Sequence, residues 1–181
     1  MSDLNNTASN ANRFNSLTPK LIARRQHVHE ICRQFARSPS KGNLKRLKLL
    51  LKNSGQQVII ESGFYCDYGY NIAIGERSYI NINCTILDGG LVTIGDDCLI
   101  GPNVQLLAVE HDVDPKLRLE KHNYAKDITI GNNVWLGAGV ILLPGVTIGN
   151  NSVIGAGSVV CKNVPASCVY AGNPAKKIRA I

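Results

Sequence analysis

The chain has 181 residues, 44% of them hydrophobic, and its 20 Lys and Arg outnumber 13 Asp and Glu for a formal net charge of +7. That composition suffices for one main domain with a sizeable core, and no apolar run approaches the roughly 20 residues that span a bilayer. The polar start lacks the apolar segment of a secretory leader, and six cysteines without a CxxC pair or zinc-like cluster point to a reducing, cytoplasmic home.

Residues 1–12 are rich in Asn and Ser and show no periodicity, so disorder is expected there. Thr18-Pro19 then offers an N-cap followed by a proline at the first helical position. Leu21, Val28, Ile31, Cys32 and Phe35 share one helical face, and Pro39 ends the pattern. A second short helix is expected over 44–52, with Leu44, Leu47 and Leu51 on one face. Up to Gln57 there are eleven Lys and Arg and two acids, against nine and eleven afterwards. Such a basic front end raises the question of nucleic acid. Without a nucleic-acid motif or interleaved aromatics, it reads instead as a solvated face or an attraction for a phosphate-bearing ligand.

From Val58 a six-residue rhythm sets in, irregular at first. It is plain at Ile74-Gly75, Ile80, Ile86, Ile94-Gly95, Ile100-Gly101 and Leu106, and again from Ile130 to Lys162. An aliphatic residue opens each unit, a small residue (often Gly) follows, and the fifth place is commonly Val, Ser or Cys. A period of six fits neither an amphipathic helix nor an alternating strand. It fits a parallel β-helix whose units are a short strand plus a turn, three units to a coil. Residues eighteen apart then stack: Ile130 under Ile148, Leu136 under Ile154, Leu142 under Val160. The opening aliphatics form a core that no single unit could bury alone, Cys84 and Cys98 fall at buried fifth positions, and Gly at the second position suits a sharp corner. The step from Ile86 to Ile94 is eight, which predicts a bulge at Asp88-Gly89-Gly90. The rhythm vanishes over 107–127, a loop of about twenty residues that carries two of the four histidines, an Arg, a Tyr and several acids. Loops of that length in compact domains are usually functional or disordered.

The predicted organisation is an N-terminal segment and helical cap over 1–57, an all-β main domain over 58–164 forming a parallel β-helix with its loop at 107–127, and a short helical tail over 165–181.

Several motifs give the chain a family resemblance: Phe64-Tyr65-Cys66-Asp67-Tyr68-Gly69-Tyr70-Asn71-Ile72, Asn81-Ile82-Asn83-Cys84, His111-Asp112-Val113-Asp114 with Arg118, Ile130-Gly131-Asn132-Asn133-Val134-Trp135, and Gly172-Asn173-Pro174-Ala175-Lys176. With these the chain resembles the hexapeptide-repeat sugar O-acetyltransferases, the maltose and galactoside acetyltransferases and their nodulation-factor relatives. The resemblance runs from about Asn15 to Ile181. It implies a left-handed β-helix, acetyl-CoA as co-substrate, no metal, and a homotrimer with active sites between subunits, acting on a small sugar acceptor without nucleic acid or membrane.

Acetyl transfer to a hydroxyl needs a base, and imidazole suits that task because its pKa lies near the operating pH. His111, at the start of the loop, is the candidate, and the resemblance places the family's catalytic His there. His122, His27 and His29 have no such role and read as structural or exposed. By resemblance the Ala138 N–H serves the oxyanion and Asn81 contacts the acceptor; Trp135 reads either as a wall of the thioester channel or as a large core or interface side chain. The acceptor-binding set is Asn15, Asp67, Tyr79, Asn81 and Asp88. The coenzyme set is Trp135, Ala138, Ala156, Cys161, Lys162, Lys176 and Arg179. Four departures stand out: Asn15 where relatives carry Asp, Gly89 where galactoside acetyltransferase has a second acid, Lys176 in place of Arg, and Cys161 in place of Thr. An amide both donates and accepts where a carboxylate only accepts, and Lys lacks the bidentate fork of Arg.

Three alternatives compete. An antibiotic or other xenobiotic hydroxyl replaces the sugar without changing the mechanism. A γ-carbonic-anhydrase-like hydratase needs three His on zinc, and the repeat region holds only His111 and His122. A non-catalytic scaffold has no use for His111, Asn81 and Lys162 together.

Overall fold

Three stacks of very short strands form the sides of a triangular prism in the computed structural model, which describes residues 12–181. Apart from Asn12, the segment expected to be disordered lies outside the described residues. The first face is built from Asn53–Ser54, Ile72–Ile74, Val92–Ile94, Ile128–Ile130 and Thr147–Ile148. The second face stacks Ile59–Ile60, Tyr79–Ile80, Leu99–Ile100, Trp135–Leu136 and Val153–Ile154, with Cys168–Gly172 on top. The third holds Tyr65–Cys66, Thr85–Leu87, Gln105–Leu107, Ile141–Leu142 and Val159–Val160. Within these stacks neighbouring coils pair in parallel, and Ile130 meets Ile148, Leu136 meets Ile154 and Leu142 meets Val160, the predicted eighteen-residue register.

The inward aliphatics Ile74, Ile80, Ile94, Leu106, Ile130, Leu136 and Leu142 are all buried, each stabilising the prism by roughly 1.5–3 kcal/mol relative to exposure. Fifth-position residues point inward and, Phe64 aside, are small, as expected for Cys84 and Cys98. Their polar atoms are used: Ser78 Oγ donates to the carbonyl of Gly95, Cys84 Sγ to that of Gly101 and Cys98 Sγ to that of Gly131.

The second-position glycines turn out to serve contact rather than corner conformation. Positive φ falls at the fourth position, on Asn83, Asp97, Asn103, Asn133 and Asn151 and on Gly139, Gly145 and Gly157. Asn and Asp tolerate that left-handed region better than most side chains. Gly95 has no such φ, but a Cβ there would stand 2.3 Å from Asn132 Oδ1 and 2.7 Å from the Gly131 carbonyl carbon. The close approach comes from an Asn ladder along the edge: Asn132 Oδ1 accepts from the Asp96 N–H, and Asn150 Oδ1 from the Asn132 N–H.

The prism edge between the third and first faces is enlarged repeatedly. Cys66 pairs with Ile86 and Ile74 with Ile94, offsets of twenty residues rather than eighteen, so both 67–71 and 87–91 carry extra residues there. In the next coil the 107–127 insertion leaves from the same edge. It is not an irregular loop: Val109–His111 and Asn123–Ala125 form an antiparallel hairpin, and α3 (Pro115–Arg118) caps its tip. The strand Asn12–Phe14 joins the other side of Asn123–Ala125, making a three-stranded sheet that straps the N-terminal part over the insertion.

At the start of the prism, α1 (Pro19–Arg37) lays Val28, Ile31, Cys32 and Phe35 against the core. α2 is Lys41–Lys48, earlier than expected, because Ser40 caps it by accepting from the Asn43 N–H and residues 49–51 leave the helix as a turn. Part of the basic front end is spent internally. Arg24 donates to the carbonyls of Tyr68 and Leu50, Arg25 to the Ser16 carbonyl and the Tyr68 hydroxyl, and Lys48 to the Val58 carbonyl. No helix among the described residues is long and apolar enough to cross a membrane.

The expected helical tail is instead a β-hairpin, Cys168–Gly172 against Ala175–Ala180. Val169 and Tyr170 pair with Val153 and Ile154 and so extend the second face. The residue before Pro174 is biased away from helix, and Gly172 at φ +104 makes the turn.

Candidate active site

Two concavities hold six of the residues singled out above, Tyr79, Asn81, Trp135, Ala138 and Ala156 in one and His111 in the other, and they lie on opposite sides of the prism. The first is a groove of about 520 Å³ along the second face. Its wall is a ladder of outward side chains in register, Tyr79 beside Leu99, Leu99 beside Trp135, and Trp135 beside Val153. Leu99 and Trp135 are each more than half exposed, an apolar surface that a single chain leaves open. Asn81, Ala138 and Ala156 line the same groove. Neither the Ala138 nor the Ala156 N–H donates to a partner among the described residues, so both are open to a ligand in the groove. Tyr79 Oη donates to Glu61 at 3.3 Å, and Asn81 Oδ1 accepts from the Ile82 N–H, leaving its amide NH2 available.

The second concavity, about 270 Å³, is lined by Ser16, Leu17, His111, Arg118 and Lys121. His111 is exposed at the end of the hairpin strand, paired with Asn123. Its Nδ1 lies 3.4 Å from the His122 carbonyl oxygen, a long contact that favours a proton on Nδ1 and leaves Nε2 free as a base. Around it the insertion is braced. Tyr124 Oη donates to Asp112, Arg118 donates to the carbonyls of Asp112 and Val113, and Asp114 caps α3. Buried Asn123 donates to Ser16 Oγ, and Arg13 engages both Glu120 and His122. Asn15 sits on this side too, its Oδ1 accepting from the Leu17 N–H.

Of the acceptor-binding set, Asp88 requires correction. It is fully buried, and its Oδ1 accepts from the N–H groups of Asp67 and Tyr68 at 3.0 and 2.8 Å. Burial pushes its carboxyl up to about 6, while Oδ2 has no partner. Asp88 therefore fastens the enlarged edge from inside instead of facing a ligand. Gly89 is closed as well, since a Cβ there would stand 2.8 Å from Val109 Cβ and 3.3 Å from the Phe14 ring. Asp67 lies 3.5 Å from His29 Nε2, and His29 Nδ1 meets the Tyr65 hydroxyl at 2.8 Å. Burial foremost lowers the pKa of His29, with Asp67 opposing it. This His29–Tyr65–Asp67 group was not anticipated, because a histidine on a polar helix carries no signal of its coil-side neighbours.

The coenzyme set divides. Trp135, Ala138 and Ala156 are in the groove. Cys161 and Lys162 are exposed on the corner after the last strand of the third face, and Lys176 and Arg179 are exposed on the terminal hairpin that extends the second face. Among the described residues no three His, Cys, Asp or Glu side chains form a metal-ligand set.

Comparison with known proteins adds to this geometry. Residues 127–162 match the family "Bacterial transferase hexapeptide (six repeats)", and 91–106 match "Hexapeptide repeat of succinyl-transferase". The chain is 50% identical over 146 residues to a putative acetyltransferase of Saccharomyces cerevisiae, covering 80% of this chain and 74% of that one. It is 49% identical over 135 residues to the galactoside O-acetyltransferase of Escherichia coli, covering 75% and 66%. A galactoside acetyltransferase solved in complex with coenzyme A superimposes with a TM-score of 0.89 at 43% identity, covering 93% of this chain and 86% of that one. A maltose O-acetyltransferase from Clostridium difficile 630 superimposes with a TM-score of 0.90 at 37% identity, covering 94% and 93%. With its left-handed β-helix and these likenesses, the chain is an acyltransferase that belongs to the galactoside and maltose O-acetyltransferase family of hexapeptide-repeat proteins.

Proposed function

We propose that the protein moves an acetyl group from acetyl-CoA to a hydroxyl of a sugar or glycoside, with His111 as general base, in sites completed between copies of the chain as a homotrimer. The observation that carries this reading is the separation of the two concavities. The insertion bearing His111 leaves from the edge between the third and first faces, which in a triangular prism is the edge opposite the second face. The groove with Trp135, Ala138 and Ala156 is on that second face, and the two concavities share no lining residue. That separation supports a site in which a neighbour's hairpin, laid along the groove, supplies the imidazole. The exposed Leu99 and Trp135 ladder gives the neighbour an apolar face to cover.

In such a site the thioester lies along the groove, with the free Ala138 N–H aimed at the oxyanion. Nε2 of His111 takes the acceptor hydroxyl proton as the oxygen attacks the carbonyl carbon. The tetrahedral intermediate then collapses, the C–S bond breaks, and the imidazolium returns its proton to the departing thiolate. Lys162, Lys176 and Arg179 supply cations for the coenzyme phosphates, and Asn81 offers its NH2 to the acceptor. Removing a general base costs about 10²–10⁴ in rate.

The experiment is thiol release from acetyl-CoA against maltose, glucose, galactosides, amino sugars and a streptogramin, with His111→Ala alongside. Sugar-dependent release that the variant loses supports the reading. Release only with the streptogramin moves the acceptor to xenobiotics. Equal release by wild type and variant removes His111 as base.

A further inference from the structure

We infer that the acceptor carries an anionic group, a carboxylate or a phosphate, close to the hydroxyl that is acetylated; this rests on the reading of His111 as the base. Among the described residues of one chain, the cleft at His111 is lined by Ser16, Leu17, His111, Arg118 and Lys121, which bring two cations and no carboxylate. The acids of the insertion are committed elsewhere. Asp112 accepts from the Asp114 N–H and the Tyr124 hydroxyl, Asp114 accepts from the Lys116 N–H, and Glu120 is held by Arg13 and His122. Glu110 pairs with Lys126 at 2.5 Å, and Asp127 accepts from the Leu91 N–H. None of these carboxylates lines the cleft beside the imidazole.

The two cations are also positioned rather than loose. One Arg118 nitrogen donates to the carbonyls of Asp112 and Val113, at 3.3 Å each, while its other N–H groups have no partner among the described residues. Lys121 follows at φ +60, its backbone N–H donating to the Arg118 carbonyl at 3.1 Å, and its ammonium has no partner among the described residues. A guanidinium and an ammonium on one rim suit a carboxylate or a phosphate equally. Leu17 adds an apolar floor for a ring face. A neutral glycoside would leave both cations solvated and gain nothing from them.

The test compares kcat/KM for three acceptors: methyl glucoside, the corresponding methyl glucuronide, and glucose 6-phosphate. Wild type, Lys121→Gln and Lys121→Glu are measured at low and high salt. The expected result is that an anionic acceptor exceeds the neutral one by about tenfold or more, and that the ratio falls about threefold in Lys121→Gln and about tenfold in Lys121→Glu. The effect should reside in KM and weaken in salt. Preference for both anions identifies charge alone; preference for only the uronide or only the phosphate identifies which anion is read. Turnover indifferent to acceptor charge, or a ratio unmoved by Lys121→Glu, overturns the inference and leaves the transferase reading standing. Absence of thiol release with every acceptor overturns that reading, and the inference with it.

Discussion

The carboxylate of Asp88 holds the backbone of Tyr68 one coil below it, accepting the Tyr68 N–H at 2.8 Å from a fully buried position. Together with the Asp67 N–H this gives one oxygen two donors, while the other oxygen is buried without any. Asn71 adds a bond from its NH2 to the Asp88 carbonyl, so the two enlarged turns are fastened to each other beneath the His111 hairpin.

That arrangement makes a pH prediction with a definite sign. Burial raises the Asp88 pKa to about 6 from 3.8, so the folded state binds its proton more tightly than the unfolded state does. Stability from this group is greatest below the unfolded value and falls as pH rises from about 4 to about 6, by up to roughly 3 kcal/mol. Asp88→Asn keeps one acceptor oxygen for the two N–H groups and removes the titration. The stability difference between variant and wild type, from urea melts at successive pH values, should therefore move toward the variant across that window and level off above it. A constant difference would show that Asp88 does not titrate there.

The corner glycines give a second prediction, on two different grounds. Gly95→Ala places a methyl 2.3 Å from Asn132 Oδ1 and against the Gly131 backbone, which cannot retreat without parting two coils. A loss of about 2–4 kcal/mol is expected. Gly157→Ala meets nothing within 4 Å and suffers only from its φ of +68, a cost of about 1–2 kcal/mol, and Gly157→Asn should cost less still. Thermal melts of the three variants test this, and the order Gly95→Ala, Gly157→Ala, Gly157→Asn is the point at issue.

The repeat was legible because each opening aliphatic reports its own burial, and a period of six leaves one architecture that can stack them. The pairing of Leu136 with Ile154 follows from counting alone. What the sequence concealed were contacts between segments far apart in it. Asp88 looks like a polar residue on a bulge, and only the coil below turns it inward. The second-position glycines look like turn residues, and only the Asn ladder of the next coil shows that a side chain has no room. The hairpin inside 107–127 was hidden because half of its sheet comes from Asn12–Phe14, a hundred residues earlier. Among site residues, Tyr79, Asn81, Trp135, Ala138 and Ala156 do converge on one groove, while His111 stands across the prism from them.

The strap formed by Asn12–Phe14 yields a third prediction. Asn123 sits between Phe14 and His111 in the three-stranded sheet, and its buried NH2 donates to Ser16 Oγ at 2.8 Å. Asn123→Ala removes that bond and leaves Ser16 without its donor, which should cost about 1–2 kcal/mol locally. Because the prism core is untouched, global melting should shift little, while amide exchange in 109–125 accelerates and kcat falls several-fold. Unchanged exchange in the hairpin would mean that the strap does not hold the imidazole in place.

The shared site can be tested by complementation. Ala156 is exposed in the groove, so Ala156→Trp fills the proposed thioester path without entering the core and should abolish transfer. His111→Ala abolishes it from the other side of the prism. If each site takes its imidazole from one chain and its groove from another, random co-assembly of the two inactive variants rebuilds intact sites. A site then receives both native halves about one time in four, and about a quarter of wild-type activity returns. If imidazole and groove of a site came from the same chain, every site would carry one lesion and mixing would restore nothing. The comparison needs subunit exchange, so the variants are unfolded and refolded together, with separately refolded samples as the reference. Recovery in the mixture alone assigns the two halves to different chains.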